Sequence, residues 1–391
     1  MTPIRVGIIG FGRSGFGIHA NAIASLRDRF TVTAVYDPLP ERRSHEDFPD
    51  LKACDSVEEL LRQEDVELVI VASPNKFHAR HALAALRGGK HVLCEKPFGF
   101  TTADVDALIA ASKASGKVLQ AFQQRRYESD FQKVKEICES GVLGRITFIR
   151  TSWGGFGRRW DWQTARSFGG GQLYNNGPHP LDHMLELFGD AEPEVWCDLR
   201  RSLCSGDAED EVQILLKAPN SPTIQIDLLA TAAFPQERWY ICGTRGGLTG
   251  GTDKLRWKFV DWSTMPAREL DTNPTEGRSY NGEKLTWTEG EWTSAGAADA
   301  GAGATPASMP TFSLYQSLWA TIREGAPQVI TPESVRRRVA VLQKCYELTG
   351  IPFPEGTLTG DADATTTVPV PTSAIRSAAT GAPEPSLAGQ I

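Results

Sequence analysis

Gly10-Phe11-Gly12-Arg13-Ser14-Gly15 sets three glycines in a G-x-G-x-x-G run, and an acid, Asp37, stands 22 residues beyond Gly15. Each position meets a need of a strand–turn–helix that holds a dinucleotide pyrophosphate. Gly10 permits the tight turn. Gly12 lets the phosphates approach the backbone, with Phe11 and Ser14 completing the binding surface. Gly15 lets the helix pack on the strand. The helix N-terminus then presents unpaired N–H groups and a partial positive charge. Asp37 is placed to accept hydrogen bonds from the adenine ribose and to repel a 2′-phosphate, which favours NAD. Arg42 and Arg43 offer cations to a 2′-phosphate, which keeps NADP open.

A second group of residues has chemistry-bearing types at short spacing. Ser73-Pro74-Asn75-Lys76-Phe77-His78 follows one apolar run, and Glu95-Lys96-Pro97 follows the next. Further on come Asn175-Asn176-Gly177-Pro178-His179 and the loop Phe156-Gly157-Arg158-Arg159-Trp160-Asp161-Trp162. Aromatic faces such as Trp160 and Trp162 stack on the apolar face of a sugar ring while Arg and Asp bind its hydroxyls. The plainer alternative is that both tryptophans pack a core and the arginines are solvated. His78 and His81, and His179 and His183, have spacings that can hold a metal, but neither pair has a third ligand nearby, so no metal is expected.

The elements that must position these residues follow from periodicity. Apolar strands are predicted at 4–9, 31–36, 66–72, 91–94 and 117–122, with helices between them, including a capping box at Ser56 and Glu59. Alternating strands and helices mean a doubly wound parallel sheet, with ligands at the carboxyl ends of its strands. After about residue 124 the pattern changes. A helix at 128–140 leads into a strand at 145–153, a helical stretch at 170–188 interrupted by Pro178 and Pro180, then strands at 194–203, 211–216, 223–231, 238–242 and 255–260. Successive strands predict an α+β unit with an open, mostly antiparallel sheet. Residues 294–307 read as a flexible loop, and 310–325 and 332–349 as two closing helices. The expected division is 1–124 for a Rossmann domain, 125–355 for a second, α+β domain, and 356–391 for a disordered tail.

Composition narrows the partners. The 391 residues suit two domains, and 40% hydrophobic with 23% charged residues is ordinary for a globular chain. A net charge of −7 argues against nucleic acid and against an anionic membrane. No apolar run is long enough to span a bilayer. The opening Met1-Thr2-Pro3-Ile4-Arg5 does not resemble a signal peptide, and the seven cysteines are scattered without C-x-x-C spacing, so reduced thiols in a cytoplasmic protein are expected.

Over roughly residues 4–355 the chain resembles the Gfo/Idh/MocA oxidoreductases, named for glucose–fructose oxidoreductase and myo-inositol dehydrogenase. The glycine run, P-N-x-x-H at 74–78, E-K-P at 95–97, Arg126 in Gln-Arg-Arg-Tyr, and Gly-Gly-Gly-…-Gly-x-His-x-x-Asp at 169–182 carry the resemblance. It implies an NAD(P)-dependent dehydrogenase for a secondary alcohol or ketone of a sugar, inositol or related polyol. It also implies a homodimer or homotetramer formed through the second-domain sheet. The resemblance makes Lys96 the catalytic lysine and His179 the acid/base. Arg126, Trp160, Trp162, Asn175 and Asn176 become candidate substrate contacts. Many members carry Asp where this chain has Asn175, and Asn cannot take a proton.

The chemistry is consistent with these roles. Oxidising a secondary alcohol sends a hydride to the nicotinamide and a proton to a base, and an imidazole titrating near pH 6.5 suits that base. A fixed ammonium beside the oxygen stabilises the developing alkoxide. Pro97 restrains where Lys96 points. Glu95 is expected to pair with Lys96 or bind the nicotinamide ribose, His78 to lie near the nicotinamide or a substrate hydroxyl, and Asp182 to orient His179 or to cap or bridge locally. Two competing functions stand beside this one. A glycoside hydrolase or lyase would use transient oxidation. A non-catalytic sensor would be expected to have lost Lys96 or His179.

Overall fold

The computed structural model describes residues 2–275, 279–294, 309–354 and 356–358. The expected flexible loop beyond Ser294, and the expected tail beyond 358, lie outside those residues.

Six strands form the first sheet: β1 (Ile4–Ile9), β2 (Phe30–Tyr36), β3 (Lys52–Ala53), β4 (Leu68–Val71), β5 (His91–Cys94) and β6 (Leu119–Ala121). Their order is β3-β2-β1-β4-β5-β6 and every pairing is parallel. All four β4 residues are fully buried, as a central parallel strand covered on both faces requires. The order reverses between β1 and β4, so the loops after these two strands splay apart and open a crevice. Gly10, at φ 89°, lies in the first of these loops. A Cβ there would sit 2.6 Å from the Ala72 carbonyl oxygen at the end of β4, which excludes other residues.

The second sheet has eight strands: β7 (Ile146–Gly154), β8 (Glu194–Arg200), β9 (Glu211–Lys217), β10 (Thr223–Leu229), β11 (Trp239–Gly243), β12 (Gly246–Gly250), β13 (Lys254–Phe259) and β14 (Thr288–Thr293). It is antiparallel except where β7 runs parallel to β10. Strands β12 and β14 were not anticipated. β12 reads Gly-Gly-Leu-Thr-Gly, a composition depleted in strands. A Cβ at Gly246 would lie 2.0 Å from the Lys258 carbonyl oxygen, so close approach of β13 demands the glycine that hides the strand.

Pro178 and Pro180, expected to interrupt a helix, instead start one. Pro178 is the first residue of the helix Pro178–Phe188, where the missing N–H costs nothing. The closing helix Met309–Glu324 returns to the first unit: Leu314, Tyr315 and Leu318 join its core. The last helix, Pro332–Thr349, serves both units. Val335 and Val339 pack in the first core, and Val341, Leu342, Cys345 and Tyr346 in the second. The expected boundary near residue 124 therefore does not separate the later chain cleanly from the first unit.

Candidate active site

The glycine turn has an open backbone face. The amides of Gly12, Arg13 and Ser14 have no protein partner among the described residues, and a Cβ at Gly12 would meet only the Arg42 guanidinium, at 3.2 Å. A Cβ at Gly15 would strike the Gly10 carbonyl oxygen at 1.9 Å, so the helix is packed hard on the turn. Three unpaired N–H groups beside an unobstructed surface fit a pyrophosphate. Asp37 is buried and accepts from the Phe11 amide at 2.8 Å and the Leu39 amide at 3.0 Å, which ties the turn to the end of β2. Arg43 is anchored elsewhere, donating to the Asp37 carbonyl at 2.7 Å and to Asp55 at 2.6 Å. Arg42 is the arginine that leans over the turn.

The loops after β4 and β5 are braced against each other. His78 is buried, with Nδ1 2.8 Å from the Pro97 carbonyl and Nε2 2.7 Å from the Ser73 carbonyl. Both ring edges are occupied, so His78 holds the two loops together and presents no free nitrogen to a nicotinamide, contrary to expectation. Burial lowers its pKa, against the pull of the two carbonyls and Glu95. Ser73 lies 3.0 Å from His81 through its hydroxyl, and His183 faces the Arg125 carbonyl at 2.8 Å, so both metal-spaced partners have structural contacts. Pro74 precedes the short turn Asn75–Phe77. Asn75 donates to the Gly169 carbonyl at 2.8 Å and to Asn175 Oδ1 at 3.1 Å.

Glu95 and Lys96 follow β5, and the Lys96–Pro97 bond is cis. The Glu95 carboxylate turns inward toward His19 Nε2 at 3.3 Å, and His19 Nδ1 lies 2.8 Å from the Tyr315 hydroxyl. Burial opposes ionisation of Glu95 most strongly, but His19, Lys96 and His78 outweigh it and hold its pKa below the usual carboxylate value. Lys96 Nζ donates to the Asn175 carbonyl at 2.8 Å. Burial lowers the Lys96 pKa, Glu95 opposes the shift, and Arg13, Arg125 and Arg338 add to it.

His179 meets Lys96 in one cavity of about 350 Å³, which Arg13 and Ser14 of the glycine turn also line. Burial depresses the His179 pKa well below the ordinary imidazole value, with Lys96, Arg125 and Arg338 adding to the effect. Its Nδ1 is 3.5 Å from the Gln123 amide nitrogen. That amide cannot flip, because Gln123 Oε1 accepts from Arg338 at 2.6 Å. Its nitrogen has two hydrogens for two acceptors, His179 Nδ1 and the Pro178 carbonyl. A donor facing Nδ1 leaves the proton of the neutral ring on Nε2.

Several expected contacts lie elsewhere. Arg126 is buried in a bidentate pair with Asp182, at 2.7 and 2.9 Å, and lines neither cavity described here. Asp182 is therefore spent on Arg126 and Arg338 and does not orient His179. Of the adjacent pair, it is Arg125 that reaches the cavity. Asn175 lines the cavity, but its carboxamide is engaged, donating to the Gln163 carbonyl at 2.7 Å and accepting from Asn75. An aspartate could not make the first of these bonds, which gives the asparagine a physical reason. Asn176 lies where the inner cavity meets a larger outer one of about 740 Å³, and its amide donates to Gln172 at 2.5 Å. Trp160 is 78% exposed, and neither it nor Trp162 lines either of these two cavities. The aromatic wall of the outer chamber is Trp153, whose ring lies near-parallel to His179 at 6.1 Å, together with Phe156.

The sequence held a signal for some of what was missed. His19 lies one helical turn beyond Gly15. Arg338 shares the 3–4 spacing of Val335, Val339 and Leu342, so it falls on the buried stripe of its helix. Nothing in Gln-Arg-Arg-Tyr distinguishes Arg125 from Arg126.

Comparison with known proteins settles the family. Residues 4–123 match the GFO/IDH/MocA oxidoreductase family, NAD-binding Rossmann fold, and residues 131–249 match the GFO/IDH/MocA C-terminal domain. An uncharacterised oxidoreductase of Schizosaccharomyces pombe, C26H5.09c, is 30% identical over 257 residues, covering 63% of this chain and 70% of the relative. The chain belongs to the GFO/IDH/MocA oxidoreductase family. As a family member it is an NAD-binding oxidoreductase. The scyllo-inositol 2-dehydrogenase (NADP(+)) IolW of Bacillus subtilis is 31% identical over 191 residues, 48% of this chain and 53% of that enzyme. The WlbA dehydrogenase of Bordetella pertussis, solved in complex with NADH and UDP-GlcNAcA, shares the fold with a TM-score of 0.71 at 21% identity, covering 89% of this chain and 96% of that one. Among the described residues no group of three or more His, Cys, Asp or Glu could hold a metal, and no helix is long and apolar enough to cross a membrane.

Proposed function

We propose that this chain moves a hydride between nicotinamide and a secondary alcohol or ketone of a sugar, inositol or related polyol. The observation that carries the proposal is the meeting of Lys96, His179 and the glycine-turn residues Arg13 and Ser14 around one cavity. The similarity to an inositol dehydrogenase points to the same substrate class. When bound, the nicotinamide supplies the hydride acceptor or donor.

The chain's own residues handle the oxygen and its proton. We assign Lys96 and His179 the reverse of the roles that the family resemblance gives them. Neutral His179, with its proton on Nε2, offers a hydrogen bond to the substrate oxygen. Burial and neighbouring cations lower the Lys96 pKa, which favours its acting as the base that takes the hydroxyl proton. In oxidation the C–H bond breaks as hydride, the O–H proton passes to Lys96, and His179 stabilises the charge building on oxygen. In reduction the Lys96 ammonium returns the proton to that oxygen. The Asn175 carbonyl holds the Lys96 amine in place, and Glu95, turned toward His19, leaves it unpaired by a carboxylate.

A panel of sugars, inositols and sugar acids, assayed with NAD and NADP separately, tests this. Nicotinamide absorbance and product should rise in proportion. Product without net absorbance change would replace it with the transient-oxidation hydrolase or lyase route. Cofactor binding without turnover of any compound would leave a sensor.

A further inference from the structure

The inner cavity around Lys96 and His179 accounts for the reacting carbon but leaves the outer chamber unexplained. The two share Arg125, Arg159 and Asn176, so they form one continuous space. The outer part, about 740 Å³, is in the size range of pockets that take a whole small molecule.

Its charged groups are sorted by direction. Arg125, Arg158, Arg159 and Arg238 line it, against one carboxylate, Glu237. The carboxylates that pair with these arginines stand behind them. Glu128 holds both Arg125 and Arg238, Asp130 lies 3.2 Å from Arg238, and Asp161 holds Arg159 at 2.8 Å. None of those three acids lines either cavity. Arg158 makes no ion pair among the described residues. Trp153 lies beside two of the guanidiniums, with the Arg238 and Arg125 guanidinium carbons 4.5 and 5.0 Å from its ring centre. Such stacking helps fix the orientation of the planar forks.

Resting on the dehydrogenase reading above, we infer that the substrate carries an anionic substituent, a carboxylate or a phosphate. This group sits in the outer chamber against Arg125, Arg158 and Arg159, while the reacting hydroxyl lies against Lys96 and His179. A guanidinium backed by a carboxylate is held in one orientation and meets an incoming carboxylate or phosphate with paired N–H donors. Of the carboxamides in that wall, Asn176 donates to Gln172, so the Gln172 oxygen is already taken. The cofactor's own phosphates belong at the glycine turn beside Arg13, so they do not consume these arginines.

The test compares glucose with glucuronate and glucose 6-phosphate, and myo-inositol with its monophosphate, by kcat/KM in the full-length protein. At least one anionic member should exceed its neutral parent at least tenfold, with the margin shrinking as salt is raised, and the better anion identifies the source of the charge. In Arg158→Gln, KM for that anion should rise about tenfold, while NADH binding followed by fluorescence stays unchanged. Arg158 is exposed, so the variant keeps the fold. Neutral parents oxidised as well as their anionic partners would overturn the inference and leave the dehydrogenase standing. An unchanged KM in Arg158→Gln would overturn it as well. Oxidation of no compound, with NADH bound, would overturn both.

Discussion

Replacing Gln123 by glutamate isolates the device that sets the proton on His179. The carboxamide now faces His179 Nδ1 with its nitrogen because Arg338 occupies its oxygen. A carboxylate would still accept from Arg338, but it would face Nδ1 with an acceptor. The imidazole proton should then move to Nδ1, leaving Nε2 with a lone pair toward the substrate. At the 3.5 Å separation, a carboxylate and an imidazolium attract by about 5 kcal/mol at an effective dielectric near 20. Part of that is lost to desolvation, and the expected rise in the His179 pKa is about 1–3 units, or roughly 1.4–4 kcal/mol. The alkoxide loses its donor at neutral pH, which should lower kcat about 10²-fold, the scale of losing one such donor. Long-range proton–nitrogen NMR of imidazole-labelled protein reads the tautomer directly. Wild type should show Nε2–H and the variant Nδ1–H, with NADH affinity unchanged in both. A wild-type ring protonated at Nδ1 would refute the reasoning whatever the kinetics.

Three further outcomes follow from the same geometry. Lys96→Met should lower turnover by several orders of magnitude with NADH affinity nearly intact. In wild type, kcat/KM for oxidation should rise with pH until the amine is deprotonated, at a pKa below that of free lysine; a flat profile from pH 6 to 10 would remove Lys96 as the base. Arg126→Met leaves Asp182 buried beside Arg338 alone and should cost about 3 kcal/mol in denaturant unfolding. KM should hardly move; a large KM change with stability intact would return Arg126 to the substrate. Asn175→Asp sets a carboxylate against the Gln163 carbonyl and should destabilise by about 1–3 kcal/mol without raising kcat; a gain in kcat would show that the position handles protons.

What was legible in the sequence was what local rules govern. Gly10, Gly12, Gly15 and Asp37 are tied to one strand–turn–helix, and their arrangement follows from backbone sterics. The parallel sheet followed from strands alternating with helices. β12 was hidden because its glycines serve a neighbouring strand's approach. Arg126 and Arg125 were exchanged because adjacent residues on a short turn point in different directions, and no periodicity tells which faces the cleft. His78 looked like a ligand contact from its motif, yet both its nitrogens are taken by carbonyls that only the folded loops bring together. Trp160 and Trp162 looked like a sugar platform because aromatics beside arginines suggest one, while Trp153, ending a strand, carries no such mark.

The last helix gives the cleft its mechanical character. Val339 is anchored in one core and Val341 in the other, so two residues bridge what would otherwise be a hinge line. Bending the two halves apart along this line would draw one of these side chains out of its core. The segment at the mouth of the crevice is tied down as well: the Gly155 and Gly157 amides donate to the Leu229 and Ala230 carbonyls. Melting is shared in the same way: neither half can lose its core without stripping this helix of the apolar contacts that keep the other half closed.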